Sequence, residues 1–128
     1  MKLLLDTHIF LWYIASDSRL SSFFRDVIRN SNNEVFLSVV SLWEIIIKYQ
    51  LGKLPLPQSP AIYIPTQRRQ HSIKTLPLSE TSVQELPKLP QLHRDPFDRI
   101  LICQALSNNL IIVTVDAQIQ NYAVSYLR

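Results

Sequence analysis

The sequence predicts an α/β fold whose mostly parallel sheet carries helices on both sides. Two observations lead there. Apolar runs alternate with helically spaced segments along the chain, and two of those runs, Lys2 to Leu5 and Leu110 to Val115, lack the polar alternation of a half-exposed strand.

Lys2 to Leu5 reads as the first strand, stopped by Asp6, and Thr7 to Ile14 as a helix with a broad apolar face. Ser18 to Asn30 repeats helical spacing through Leu20, Phe23, Phe24, Val27 and Ile28, leaving Arg25, Asp26 and Arg29 to solvent. A turn at Asn30 to Asn33 precedes a β-branched and aromatic strand, Val35 to Val39, and Ser41 opens a helix that runs through Ile45 to Leu51. Gly52 follows, where a helix C-terminus takes a left-handed residue. Lys53 to Pro60 is a proline-punctuated connector, and Ala61 to His71 is expected to be a helix that Pro65 starts late or kinks. Ile73 to Leu76 alternates like a strand, Ser79 to Leu86 is a short helix, and Pro87 to Arg94 is a proline-bounded loop. Pro96 to Asn108 is helical, with Ile100, Leu101, Cys103, Ala105 and Leu106 on or near its buried side. Leu110 to Val115 is then a strand buried on both faces and ended by Asp116. With no internal repeat and no composition break, residues 1–128 read as one domain in which Leu54 to Pro60 is an excursion.

Composition excludes several classes of function. The chain is 47% hydrophobic and 18% charged, a globular balance, and no window approaches the roughly 18 apolar residues of a membrane span. The apolar run at Leu3 to Leu5 is too short for a signal-peptide core, and the one cysteine, Cys103, permits neither an intrachain disulfide nor a Cys-based zinc cluster; a reducing cytoplasm is the expected location. Cys103 itself reads as a small buried apolar residue. A single glycine removes the phosphate-cradling loops of P-loop and dinucleotide sites. Lys and Arg number 13 against 10 Asp and Glu, and the resulting net charge of +3 permits a polyanionic partner without requiring one.

Five acids sit at element junctions, and each has a structural explanation. Asp6 and Asp116 can cap helices, Ser41 with Glu44 fits a capping box, and Asp95-Pro96-Phe97-Asp98 fits an Asp cap, Pro at the first helical position and an acid in the first turn. Together they suggest more. In an open parallel sheet the carboxyl ends of the strands line the ligand-binding edge, so Asp6 and Asp116 share it, and helices starting there bring Glu44 and Asp98 towards it. Crowded carboxylates repel unless protonated or neutralised, and hard oxygen donors without a Cys or His cluster point to Mg²⁺ or Mn²⁺. Such an ion suits phosphodiester hydrolysis, where it activates a water and stabilises the developing charge.

The runs LLLDTHIFLW, SVVSLWEIIIKYQLGKLPLP, HRDPFDRILICQAL and LIIVTVDAQI resemble, in order and spacing and nearly end to end, the successive motifs of PIN domains, specifically the VapC-type toxins of bacterial toxin–antitoxin pairs. The resemblance implies a three-layer α/β/α sandwich with a mostly parallel sheet of about five strands. It also implies a metal-dependent endoribonuclease restrained by a VapB-type antitoxin, and a homodimer. Asp6 matches the family's first acid, Glu44 the second, Asp98 the third and Asp116 the fourth, with Thr114 as the hydroxyl two residues before it. Asp95, characteristic of the HRDPFD version, is a further candidate for the metal or for orienting Arg94 and Asp98.

Arg94 and Arg99 are the expected phosphate contacts, because guanidinium matches phosphate in two-pronged fashion. His8 and His93 read as local polar groups or as contacts at the mouth of the site. Lys48, four residues after Glu44, reads as its ion-pair partner. Arg68, Arg69, Lys53 and Lys74 read as solvated surface, and Trp12, Tyr13 and Trp43 as core or interface residues rather than base-stacking ones. Phe23 and Phe24 add to helices apolar enough to suggest a dimer. Three other readings compete. An aspartyl-phosphate phosphatase wants a second acid where His8 stands, and a receiver domain wants paired acids just before Asp6. A non-catalytic RNA- or protein-binding domain would use the acids purely as caps.

Overall fold

The structure, a computed structural model, describes residues 1–127. Four strands, β1 (Lys2–Leu5), β2 (Glu34–Ser38), β3 (Lys74–Leu76) and β4 (Ile111–Val113), form one parallel sheet in the order β3-β2-β1-β4. The register pairs Leu3 with Val35 on one side and with Ile111 on the other, and Leu37 with Thr75. Seven helices fill the connections: α1 (Thr7–Ile14), α2 (Ser22–Arg29), α3 (Val39–Gln50), α4 (Pro60–Gln70), α5 (Glu80–Gln84), α6 (Pro96–Asn108) and α7 (Ala117–Gln120), with a single 3₁₀ turn at Leu86–Lys88.

Helices on both faces explain why β1 is apolar at consecutive positions. Leu3 and Leu5 point into a core with Ile9, Phe10, Phe24, Ile28 and Ile64, while Leu4 points into a second core with Leu101, Ile102, Ile112 and Ile119. All three leucines are fully buried, each contributing about 1.5–3 kcal/mol through loss of water contact. The architecture is thus the expected three-layer α/β/α arrangement. Among the described residues the sheet has four strands rather than about five, and beyond β4 there is an isolated parallel bridge between Ile112 and Tyr126. Ile112 donates to the Ser125 carbonyl at 2.9 Å and accepts from the Leu127 amide at 2.8 Å, so both bonds on that edge go to one residue. No helix among the described residues is long and apolar enough to cross a membrane.

Several boundaries differ from the sequence reading for local reasons. α2 begins at Ser22, not Ser18, because the Asp17 carboxylate accepts from the Arg19 amide at 2.9 Å and holds a turn, while the Ser21 hydroxyl accepts from the Phe24 amide and caps the helix. α3 begins at Val39, with the Ser38 hydroxyl accepting from the Val40 amide, so Ser41 is inside the helix and forms no capping box with Glu44. α4 begins at Pro60 and continues through Pro65; Ile64 is buried and anchors it, and the Thr66 hydroxyl donates to the Ile62 carbonyl at 2.8 Å. β4 stops at Val113 because the Thr114 side chain takes up the next bonds. Gly52 follows α3 with φ of +72°, as expected of a left-handed terminus.

Candidate metal centre

In this topology the chain moves from β1 to β2 and β3 on one side and then crosses to β4 on the other. The crevice above the carboxyl ends of β1 and β4 is therefore the switch point where open α/β sheets bind ligands. Asp6 follows β1 there, and Thr114 and Asp116 follow β4. Thr114 Oγ1 donates to Asp6 Oδ2 at 2.8 Å and accepts from the Asp116 amide at 3.0 Å, so one buried hydroxyl joins the first and fourth acids.

The five acids divide by what their carboxylates do. Asp6 stands at the N-cap position of α1 but makes no side-chain cap bond, and it is buried. Burial raises its pKa; the Thr114 bond, the nearby His8 and the Thr7 amide oppose that rise, and Glu44 adds to it. Glu44, also buried, accepts from Lys48 Nζ at 2.6 Å on Oε2, and its Oε1 lies 2.8 Å from Thr7 Oγ1, which is itself 2.8 Å from Ser41 Oγ. Asp98 is buried in the first turn of α6, with Oδ2 3.4 Å from His93 Nε2. Its carboxyl is pushed up to about 8, first by burial and then by the charges of Asp95, Asp6, Asp116 and Glu44.

Asp95 and Asp116 do cap helices. Asp95 Oδ1 accepts from the Phe97 and Asp98 amides at 2.9 and 3.2 Å, and Asp116 Oδ1 accepts from the Gln118 amide at 2.9 Å. Lys48 faces the group: desolvation would lower its ammonium, but its bond to Glu44 and the fields of Glu44, Asp95 and Asp98 raise it. Buried carboxylates that can ionise together only with added positive charge fit a hard divalent cation. Among the described residues no three acidic, histidine or cysteine side chains already converge tightly enough to hold an ion by themselves. Glu44 is turned to Lys48 and Thr7, and Asp95 and Asp116 are engaged in caps through Oδ1.

The structure relocates several expected contacts. Arg99 is buried and turned away from the crevice: Nη1 donates to the Pro90 carbonyl at 2.8 Å and to Tyr122 Oη at 3.0 Å, and Nη2 to the Leu89 carbonyl at 3.4 Å. Its guanidinium is engaged by the 89–90 loop and Tyr122. Thr114 is fully buried, its hydroxyl shared between the Asp6 carboxylate and the Asp116 amide. Arg94 is exposed. His93, read as a local polar group or a mouth contact, is buried between Tyr122 and Asp98. Trp43 is 56% exposed and packs edge-on against Phe97 at 5.1 Å, outside the core. Thr7 and Tyr122 were not singled out in the sequence; a hydroxyl directly after Asp6 was a usable signal for Thr7, whereas nothing local marks Tyr122.

A PIN-domain family model matches residues 3–125. The chain belongs to the PIN-domain family. Over 55 residues this PIN domain is 44% identical to Ribonuclease VapC16 of Mycobacterium tuberculosis, a stretch that is 43% of this chain and 38% of that protein. Solved structures share the fold at low identity. VapBC2 from Rickettsia felis, bound to a DNA fragment from its promoter, matches with a TM-score of 0.75 and 15% identity over 99% of this chain and 98% of the other. DNA-bound VapBC from Salmonella typhimurium matches with a TM-score of 0.69 and 17% identity over 99% and 97%.

Proposed function

We propose that this PIN domain is an endoribonuclease dependent on Mg²⁺ or Mn²⁺, the toxin of a toxin–antitoxin pair. The observation that carries the reading is that Asp6, Glu44, Asp98 and Asp116 follow or start elements at the carboxyl edge of the sheet, near enough that Asp6, Asp116 and Glu44 add to burial and to the charge of Asp95 in raising the Asp98 carboxyl to about 8. Asp6, Glu44, Asp98 and Asp116 would hold the ion, with Asp95 as a further ligand or as the group that sets Asp98. When bound, the ion supplies Lewis acidity at the phosphodiester and an activated water. Thr114 and Thr7 fix the Asp6 and Glu44 carboxylates, Lys48 balances charge on Glu44, and exposed Arg94 supplies the phosphate contact.

The ribonuclease named among the partial matches and the VapBC structures among the fold relatives support this assignment, and a VapB-type protein is the partner it implies. A homodimer is the assembly this reading implies, and the buried lone Cys103 supports a reducing, cytoplasmic location.

The test is thermal unfolding with and without Mn²⁺, followed by incubation with labelled single-stranded and structured RNAs, for the parent and Asp98→Asn. Metal-dependent stabilisation and cleavage, both lost in the variant, are expected. A domain whose acids serve only as caps would show neither in the parent.

A further inference from the structure

A buried chain of polar groups runs behind Asp98, and its protons can be assigned by elimination. Tyr122 Oη is 2.8 Å from His93 Nδ1, 3.0 Å from Arg99 Nη1 and 3.3 Å from the His93 amide nitrogen. Arg99 and the amide can only donate, so they occupy the acceptor capacity of the phenol oxygen. Among the described residues the phenol proton then has one hydrogen-bond acceptor, Nδ1. Accepting there, a neutral imidazole carries its proton on Nε2, which faces Asp98 Oδ2 at 3.4 Å. Arg99 is held in turn by the Pro90 and Leu89 carbonyls, and the ring of Tyr122 packs edge-on against His93 at 5.4 Å. The side chain of His93 is 5% exposed, so the ring is confined on every side.

We propose that His93 is a positioning residue for the metal centre: Arg99 and Tyr122 set its tautomer and ring plane, and its Nε2–H directs the Asp98 carboxylate towards the ion. This rests on the metal-dependent reading above. At 3.4 Å the bond is long, and its role is directional. Groups in this outer position commonly alter metal affinity by about 10–100-fold when removed.

The test is Mn²⁺ binding by titration calorimetry for the parent, Tyr122→Phe, His93→Leu and His93→Gln, with urea unfolding in chelator as a separate measure of the fold. Tyr122→Phe and His93→Leu are expected to bind Mn²⁺ about tenfold or more weakly. His93→Gln, which keeps an N–H near the Nε2 position, is expected to recover most of the loss. ¹⁵N spectra of the metal-free parent should show His93 protonated on Nε2. Parent-like Mn²⁺ affinity in Tyr122→Phe, no recovery in His93→Gln, or a proton on Nδ1 overturns the proposal. If His93→Leu does not fold, Tyr122→Phe decides, since it removes one oxygen only. A parent that binds no Mn²⁺ overturns the metal reading itself, an outcome distinct from unchanged affinity in the variants.

Discussion

In metal-free protein, Asp98→Asn should stabilise the fold at neutral pH and leave it unchanged at acid pH. The Asp98 carboxyl rises from 3.8 to about 8 because it is buried among Asp95, Asp6, Asp116 and Glu44. Between those values the folded chain holds a proton that the unfolded chain releases, so parent stability falls as pH rises through this window, and the loss is absent below pH 4. The pH of 7 lies about three units above the unfolded value and still below the folded one, which at about 1.4 kcal/mol per unit sets a ceiling of about 4 kcal/mol. Water entry and side-chain relaxation around the site lower that figure. A gain of about 2 kcal/mol remains, or about 8 °C in Tm for a chain of this size. Urea unfolding in chelator at pH 4 and pH 7 measures it. Saturating Mn²⁺ should reverse the order, since an ion at a hundredfold excess over its Kd adds about 2.7 kcal/mol to the parent and nothing to the variant. Parallel stability–pH curves for the two metal-free proteins would refute the electrostatic reasoning.

Three further substitutions probe the supports of the site. Thr114→Val removes the hydroxyl that donates to Asp6 and accepts from the Asp116 amide; a loss of about 1–3 kcal/mol in urea unfolding is expected, with slower RNA cleavage. Ser38→Ala strands the Gln104 Oε1 atom, now 2.6 Å from the serine hydroxyl in a buried setting, and also removes the α3 cap. Chemical unfolding should register about 2–3 kcal/mol while cleavage by the folded fraction is unaltered. Gly52→Ala meets nothing within 4 Å, so only the strain of φ at +72° acts; a Tm drop corresponding to about 1 kcal/mol is expected, and Gly52→Asn should lose less.

What could be read from the sequence follows the range of each interaction. β1, α6 and β4 were legible because apolar spacing reports burial directly, and Leu3, Leu4 and Leu5 are buried as their unbroken run requires. The acids were legible as residues but ambiguous in role. Asp6, Asp95 and Asp116 all fit a cap by sequence, and only the fold separates Asp6, which makes no cap bond, from Asp95 and Asp116, which do. The capping box at Ser41 and Glu44 failed because Ser38, three residues earlier, supplies a competing cap. Arg99 was read as a phosphate contact from its guanidinium alone, and its burial was not legible because it depends on Tyr122, 23 residues away. The same separation hid His93, whose partners Tyr122 and Asp98 meet only when α7 packs behind α6. Pro65 shows the reverse: a local helix breaker is overridden by the burial of Ile64.

The most direct measurement is a time course of labelled RNA cleavage by purified protein, freed of any co-purifying partner, in chelator and after Mn²⁺ is restored, beside Asp6→Asn. The carboxylate centre predicts no cleavage in chelator, recovery with Mn²⁺, and a folded but inactive Asp6→Asn protein. Cleavage that persists in chelator, or full activity in Asp6→Asn, would contradict it.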